Sequence, residues 1–292
     1  MPQVEANGIS IEVEEFGDPV DPPVLLIMGL GAQMITWPED FCRLLADAGH
    51  HVIRFDNRDV GLSTWFDEAG EPDMMALFDA AMSGQPVEST YLLSDMADDA
   101  VGVLDALGLD DAHIVGASMG GMIAQRVAIN HPDRTRSLCS IMSMPRFITG
   151  DPEVSAALMG EDPGNREGRI DMGIEVARLL AGDGFPFDEK RARANAEATV
   201  DRAWHPEGTS RHMAAIIVDG DRTEGLRGVT APTVVIHGTS DRLVIPQGGE
   251  ETAAAVPGAE LVWVEGMGHD LPVGAHRQVV EAVAKLVVRA GG

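Results

Sequence analysis

Ala112-His113-Ile114-Val115-Gly116-Ala117-Ser118-Met119-Gly120-Gly121 is the stretch that decides how this chain folds. The apolar run Ala112 to Val115 has strand composition and leads straight into G-x-S-x-G at Gly116 to Gly120. A helical pattern of Ile123, Ala124 and Val127 leads straight out. A strand that becomes a helix within one residue strains the backbone at the serine. Glycine on either side removes the Cβ atoms that would clash there. Such a turn leaves the Ser118 hydroxyl standing above the end of a sheet. A tight turn with a helix-capping serine is the plainer alternative, and the strand and helix on either side argue against it.

Working outward, strand-like runs alternate with helical ones up to about Met144. Ile9 to Val13, Val24 to Met28, Val52 to Phe55, His113 to Val115 and Leu138 to Met142 are the strands. Phe41, Leu44, Leu45 and Ala48 follow helical spacing, with Thr36 and Glu39 placed as a capping pair, and Met96, Ala100, Val103, Leu104 and Leu107 repeat that spacing. From about Pro145 to Gly228 the strands disappear and helical stretches such as Ile174 to Leu180 and Glu189 to Val200 take over. Val234 to His237 and Leu261 to Val264 restore the strand pattern, and Val279, Val280, Val283, Leu286 and Val287 make a closing amphipathic helix. The alternation predicts an α/β fold with one core domain, residues 1–145 and 229–292, interrupted by a helical lid at 146–228.

A serine hydroxyl is a weak nucleophile at neutral pH. It needs a base within hydrogen-bond reach and a third group to orient that base. Of the nine histidines, His269 in Gly266-Met267-Gly268-His269 follows a strand and precedes the last helix. His50 and His51 open a strand, while His113 and His237 lie inside strands, so these and the remaining four are taken as structural or surface groups. In this kind of fold the chain order is serine, acid, histidine. The acid is therefore sought after the inserted segment, where Asp241 follows the strand Thr233 to Ile236. Asp219 and Asp221 are its rivals, and Asp270 is disfavoured because side chains adjacent in sequence rarely face each other. Acyl transfer also needs N–H groups aimed at the developing oxyanion. The backbone amide of Met119, next after the nucleophile, and that of Leu30, in Met28-Gly29-Leu30-Gly31, are the expected donors.

Composition narrows the partners. With 47 acidic and 21 basic residues the formal charge is −26, which repels phosphate backbones and anionic lipid surfaces. No nucleic acid or membrane partner is expected, and neutral small esters are favoured over anionic ones. Cys42 and Cys139 sit in apolar runs and read as buried hydrophobes rather than a disulfide. The longest apolar run, Val24 to Leu30, is too short to span a bilayer, and the amino-terminal residues have neither the basic start nor the apolar stretch of a signal. A cytoplasmic protein with no metal and no cofactor is the expectation.

These residues together resemble the α/β-hydrolase superfamily over roughly Gly8 to Met144 and Gly225 to Val288, and within it the aclacinomycin methylesterase group of carboxylesterases. GDPVDPPVLLIMG, WPEDFCRLLADAGHHVIRFDNRDVGLS, HIVGASMGG, VTAPTVVIHGTSDRLVIP and EGMGHDLP carry the resemblance. It implies a mostly parallel sheet flanked by helices, an acyl-enzyme mechanism on Ser118, Asp241 as the acid, and the Leu30 and Met119 amides as the oxyanion donors. Met28-Gly29 stands where many members have His-Gly, a feature shared with the methylesterase-like group. Asp56, Arg58 and Asp59 match a recurrent loop of the superfamily and are read as structural. Phe185, Phe187, Trp204 and several methionines supply the apolar surface of the inserted segment, with Trp204 the candidate substrate contact and a largely apolar pocket the expectation. Perhydrolysis without a cofactor and carbon–carbon bond hydrolysis would use the same triad. A non-catalytic binding protein would be expected to have lost part of it. A dinucleotide fingerprint at Gly29-Leu30-Gly31 fails because Met34 stands where the third glycine belongs.

Overall fold

In the computed structural model, which describes residues 2–291, eight strands form one sheet. They are β1 (Gln3–Ala6), β2 (Ile9–Phe16), β3 (Pro23–Ile27), β4 (His51–Phe55), β5 (Ala112–Ala117), β6 (Thr135–Ile141), β7 (Thr233–Gly238) and β8 (Glu260–Val264). Their order across the sheet is β1-β2-β4-β3-β5-β6-β7-β8. The β1–β2 and β2–β4 pairs are antiparallel and every other pair is parallel.

Parallel strands covered on both faces read as continuous apolar runs, and β3 (PVLLI) is buried throughout. Its side chains still divide with period two. Leu25 and Ile27 join one apolar layer with Ile53, Phe55 and Ile114, while Val24 and Leu26 join the opposite layer with Val52 and Val115. Among the helices, α1 (Glu39–Asp47), α2 (Met74–Met82), α3 (Leu93–Ala106) and α4 (Met119–Asn130) precede the inserted segment. That segment contains α5 (Pro152–Leu158), α6 (Arg166–Leu180), α7 (Glu189–Arg202), α8 (Pro206–Asp219) and α9 (Thr223–Leu226). The closing pair is α10 (Gln247–Ala255) and α11 (His276–Arg289). Buried side chains of α3 and α4 cover one face of the sheet and those of α1 and α11 the other. Ile123 and Val127 of α4 are fully buried, and each contributes about 1.5–3 kcal/mol relative to exposure.

Local expectations change at the start of α1 and in the number of elements. Thr36 does not cap α1: it ends a 3₁₀ turn, and the helix begins at Glu39 with Pro38 at its N-cap and no side-chain cap. The cause is Pro38, whose ring keeps the preceding Trp37 out of the helical region, at φ −68° and ψ 107°. β1, α2 and α10 are additional to the elements expected from the sequence, since QVEA is short and polar and neither MMALFDAAM nor QGGEETAAA alternates apolar and polar residues at helical spacing. Cys42 and Cys139 are free and buried.

Buried ion pairs hold the inserted helices to the sheet. Both guanidinium nitrogens Nε and Nη2 of Arg211, on α8, donate to Asp59 at 2.8 Å, and the Tyr91 hydroxyl donates to the same carboxylate at 2.7 Å. Arg202, at the end of α7, lies 2.7 Å from Asp56. Removing one partner of such a buried pair costs about 3–5 kcal/mol, because the other charge is left without compensation. Burial alone would raise the Asp59 carboxyl, but the bonds from Arg211, Tyr91 and the Phe66 amide outweigh it and hold the group below its ordinary value. Arg58 instead pairs with Asp99 inside the core. The Asp56-Arg58-Asp59 loop is thus one place where core and inserted segment meet; the Gly184 amide on the Gly266 carbonyl and the His269 amide on the Leu180 carbonyl, each at 2.8 Å, are another.

Candidate active site

The turn after β5 has the geometry that the glycine spacing implies. Ser118 stands at φ 57° and ψ −123°, a left-handed conformation that costs a non-glycine residue on the order of 1–3 kcal/mol. A Cβ on Gly116 would fall 2.0 Å from the Gly120 carbonyl oxygen, and one on Gly120 would fall 2.1 Å from that of Ile27. Only glycine at both positions lets α4 start this close to β3 and β5. Half-buried, the Ser118 side chain stays accessible while its backbone N–H extends the sheet to Ile141.

Ser118, His269 and Asp241 come together from three separate strand ends. His269 Nε2 lies 2.8 Å from Ser118 Oγ, and His269 Nδ1 lies 2.8 Å from Asp241 Oδ2. An ionised carboxylate only accepts, so Nδ1 carries the proton and Nε2 is left to accept from the serine hydroxyl. The other oxygen, Asp241 Oδ1, accepts the N–H groups of Leu243 and Val244, each at 2.9 Å. Nearby, His237 donates from Nε2 to the Val244 carbonyl at 2.8 Å, and burial lowers its imidazole below the ordinary value.

The rival acids lie elsewhere. Asp219 accepts from Arg126 at 2.7 Å and pairs with Arg222, and Asp221 accepts the Thr223 amide at the start of α9. Asp270 lies beside the amides of Gly268 and Gly182, and burial raises its carboxyl to about 6.

At the proposed oxyanion position, Met119 opens α4, so its N–H has no partner within the helix. Leu30 occupies the turn closed by the Ala32 amide on the Gly29 carbonyl, and among the described residues its amide meets no protein acceptor. A Cβ on Gly29 would fall 3.0 Å from Ser118 Cβ, so this turn lies directly against the serine.

Leu30 and Gly31 also form part of the wall of a cavity of about 430 Å³ under the inserted helices. Trp204, Leu158, Met159, Met172 and Val60 supply its apolar lining. Glu71, Asp162 and Glu207 line it too, so its wall is mixed, and it reaches the serine turn only through Leu30 and Gly31. Trp204 is oriented by its neighbours, its Nε1–H donating to Asp162 at 3.1 Å and the Arg169 guanidinium lying 4.9 Å from its ring centre. Phe185 packs instead on the sheet side, and Phe187 lies beneath Arg178.

Nothing local in the sequence marks His212, Arg211 or Arg202, because their partners lie far away in the chain. No group of three or more His, Cys, Asp or Glu among the described residues is arranged to hold a metal ion. Nor is any described helix long and apolar enough to cross a membrane.

The chain matches the α/β hydrolase fold family over residues 22–273. It is 30% identical to rhodomycin D methylesterase DauP of a Streptomyces species, over 96% of this chain and 95% of the relative. It is 31% identical to a 2-hydroxymuconate semialdehyde hydrolase of a Pseudomonas species, over 59% of each chain. The solved meta-cleavage product hydrolase of Pseudomonas fluorescens superposes with a TM-score of 0.76 at 20% identity, over 100% of this chain and 98% of that one.

Proposed function

The chain belongs to the α/β hydrolase fold family, and from that premise we propose that it is a serine hydrolase cleaving carboxylic esters through an acyl-enzyme on Ser118. One observation carries the proposal: the unbroken line of hydrogen bonds from Asp241 through His269 to a serine held at positive φ. In this mechanism Ser118 Oγ attacks the ester carbonyl as its proton passes to His269 Nε2. Asp241 stabilises the imidazolium that forms. The developing oxyanion is received by the N–H groups of Met119 and Leu30. Collapse of the tetrahedral intermediate breaks the bond to the alkoxy oxygen, which leaves with the proton from His269. A water molecule, deprotonated by the same histidine, then releases the acid and restores the serine.

The inserted helices act as a lid, and Trp204 forms a wall of the substrate cavity. A methyl ester of a bulky acid suits this arrangement. The methylesterase relative supports the small alcohol, and a cavity of about 430 Å³ that begins at Leu30 accommodates the larger acid. Neutral esters are preferred, since Glu71, Asp162 and Glu207 line that cavity in a chain of net charge −26. The second reading, hydrolysis of a carbon–carbon bond in a diketone-like substrate by the same residues, draws on the 31% identity to the semialdehyde hydrolase.

A fluorophosphonate should form one adduct, on Ser118, and Ser118→Ala should lose both the adduct and ester turnover while keeping its melting temperature. Turnover in Ser118→Ala comparable with the parent would overturn the mechanism. A panel of methyl, ethyl and longer esters, run beside a vinylogous diketone, separates the two reactions.

A further inference from the structure

Oxyanion donors work only if their direction is fixed before the reaction, and a turn at the surface of a sheet does not fix itself. The turn Gly29–Ala32 is closed by one backbone bond of 3.2 Å, with Gly31 at φ 62°. Two side chains tie it down. Asn57 Nδ2 donates to the Met28 carbonyl at 2.9 Å on the strand side. On the other side the Gly31 N–H donates to His212 Nδ1 at 3.2 Å, and His212 Nε2 lies 2.8 Å from the Arg58 carbonyl.

His212 belongs to α8, in the inserted segment, and is fully buried. A carbonyl can only accept, so Nε2 carries the proton and Nδ1 is the free acceptor that the Gly31 amide needs. Burial pulls the imidazole down to about 4, which keeps that acceptor available at neutral pH. Thr209, one helical turn away, packs on the same glycine so closely that a Cβ there would fall 2.3 Å from its Oγ1. The Gly31 N–H belongs to the peptide that joins Leu30 to Gly31. With the Met28 carbonyl held by Asn57 on one side and this peptide held by His212 on the other, the intervening Gly29–Leu30 peptide has little freedom to rotate, which restricts the direction in which the Leu30 N–H points. Arg211, the residue before His212, anchors this part of α8 through its buried pair with Asp59.

We propose that His212 is a positioning residue for the oxyanion hole. By accepting the Gly31 N–H it orients the Leu30 amide, so docking of α8 assembles the catalytic site as well as covering it. The proposal rests on the assignment of the Leu30 amide as an oxyanion donor.

Two isosteric changes separate the two bonds of His212. His212→Gln places an amide near Nε2, which keeps the Arg58 contact and loses the acceptor for Gly31. His212→Asn places its oxygen near Nδ1 and keeps that acceptor. The expected result is a kcat lower by about tenfold to a hundredfold in His212→Gln with KM within about twofold, less than the roughly hundredfold to thousandfold lost when an oxyanion donor is removed outright. The Ki of a trifluoromethyl ketone should rise by the same factor, because that inhibitor forms the oxyanion. His212→Asn should recover most of both. Equal kcat in the two variants, or a change confined to KM or to melting temperature, overturns the proposal. If His212→Gln does not fold, His212→Asn still decides: a loss above tenfold at an unchanged melting temperature counts against it. Ser118→Ala measured alongside keeps the two readings apart. Turnover in that variant would remove the serine mechanism itself, whereas an inert Ser118→Ala beside a fully active His212→Gln removes only the role of His212.

Discussion

Asp241→Asn changes one atom, and the contacts around Asp241 dictate its effect. Asp241 Oδ1 accepts two backbone N–H groups, from Leu243 and Val244, each at 2.9 Å. An asparagine must put its oxygen there, since its NH₂ group would face two donors and leave them unsatisfied at about 1–3 kcal/mol each. The NH₂ then occupies the place of Oδ2, 2.8 Å from His269 Nδ1, and that nitrogen has to become an acceptor. The proton moves to Nε2, which now presents a donor to Ser118 Oγ, and the serine has no base. The expected fall in kcat is about three to four orders of magnitude, or about 4–5.5 kcal/mol in the barrier. Every hydrogen bond to the substituted side chain survives in this arrangement, so the melting temperature should move little. Steady-state hydrolysis of a neutral ester, with thermal unfolding on the same samples, tests both halves, and the deficit should be largest at low pH. A variant within tenfold of the parent would refute the reasoning. So would Asp219→Asn or Asp221→Asn proving the damaging change.

Trp204→Ala should alter the preference among acid chain lengths more than stability, because the ring lines the cavity and is held there by half-exposed partners, Asp162 and Arg169, rather than by the buried core; an unchanged preference profile with a large loss of melting temperature would make the ring a packing element only. Asp270 has its carboxyl raised by burial from 3.8 to about 6, so the folded state holds the proton more tightly and stability falls as pH rises through that window, by on the order of 3 kcal/mol at most. Asp270→Asn should therefore melt higher than the parent at pH 7.5 and gain little at pH 4, which thermal unfolding at the two values checks. For an ester bearing a carboxylate, kcat/KM should rise with ionic strength more than for its neutral analogue, since the field of a −26 chain is screened over about 10 Å at 0.1 M salt; parallel responses would place the charge away from the site mouth.

The candidate catalytic residues were legible because each is bound to a constraint that a sequence expresses locally. Ser118 needs glycine at Gly116 and Gly120, since any side chain would meet backbone oxygen about 2 Å away, so the motif is a record of geometry. His269 and Asp241 follow β8 and β7, whose apolar runs mark them as strands. Asp241 could not be separated from Asp219 and Asp221 by position alone. What separates them is that Asp219 is engaged by Arg126 and Arg222, contacts that depend on the folded chain. The capping pair at Thr36 failed for the opposite reason, because a stronger local rule, the restriction that Pro38 places on Trp37, overrode it.

The inserted segment was legible only as helices. Its seating on the core includes the buried pairs of Arg211 with Asp59 and Arg202 with Asp56, partners about 150 residues apart in sequence. In a chain with 47 acidic residues, nothing local marks which carboxylates are buried to receive an arginine. The cavity is subject to the same limit. Leu30 and Gly31 come from the sheet side, while Trp204, Glu207 and Met172 arrive on α6, α8 and the link before α8, so its chemistry exists only once those helices have docked. Ser118, Asp241 and His269 follow strand ends of the sheet, with the His269 amide also bonded to the Leu180 carbonyl of α6 at 2.8 Å, whereas the residues proposed to select the substrate sit on the docked helices. Substitutions at Asp59 or Arg211 should consequently disturb selectivity and the turn at Leu30 together, because both lean on the same helix.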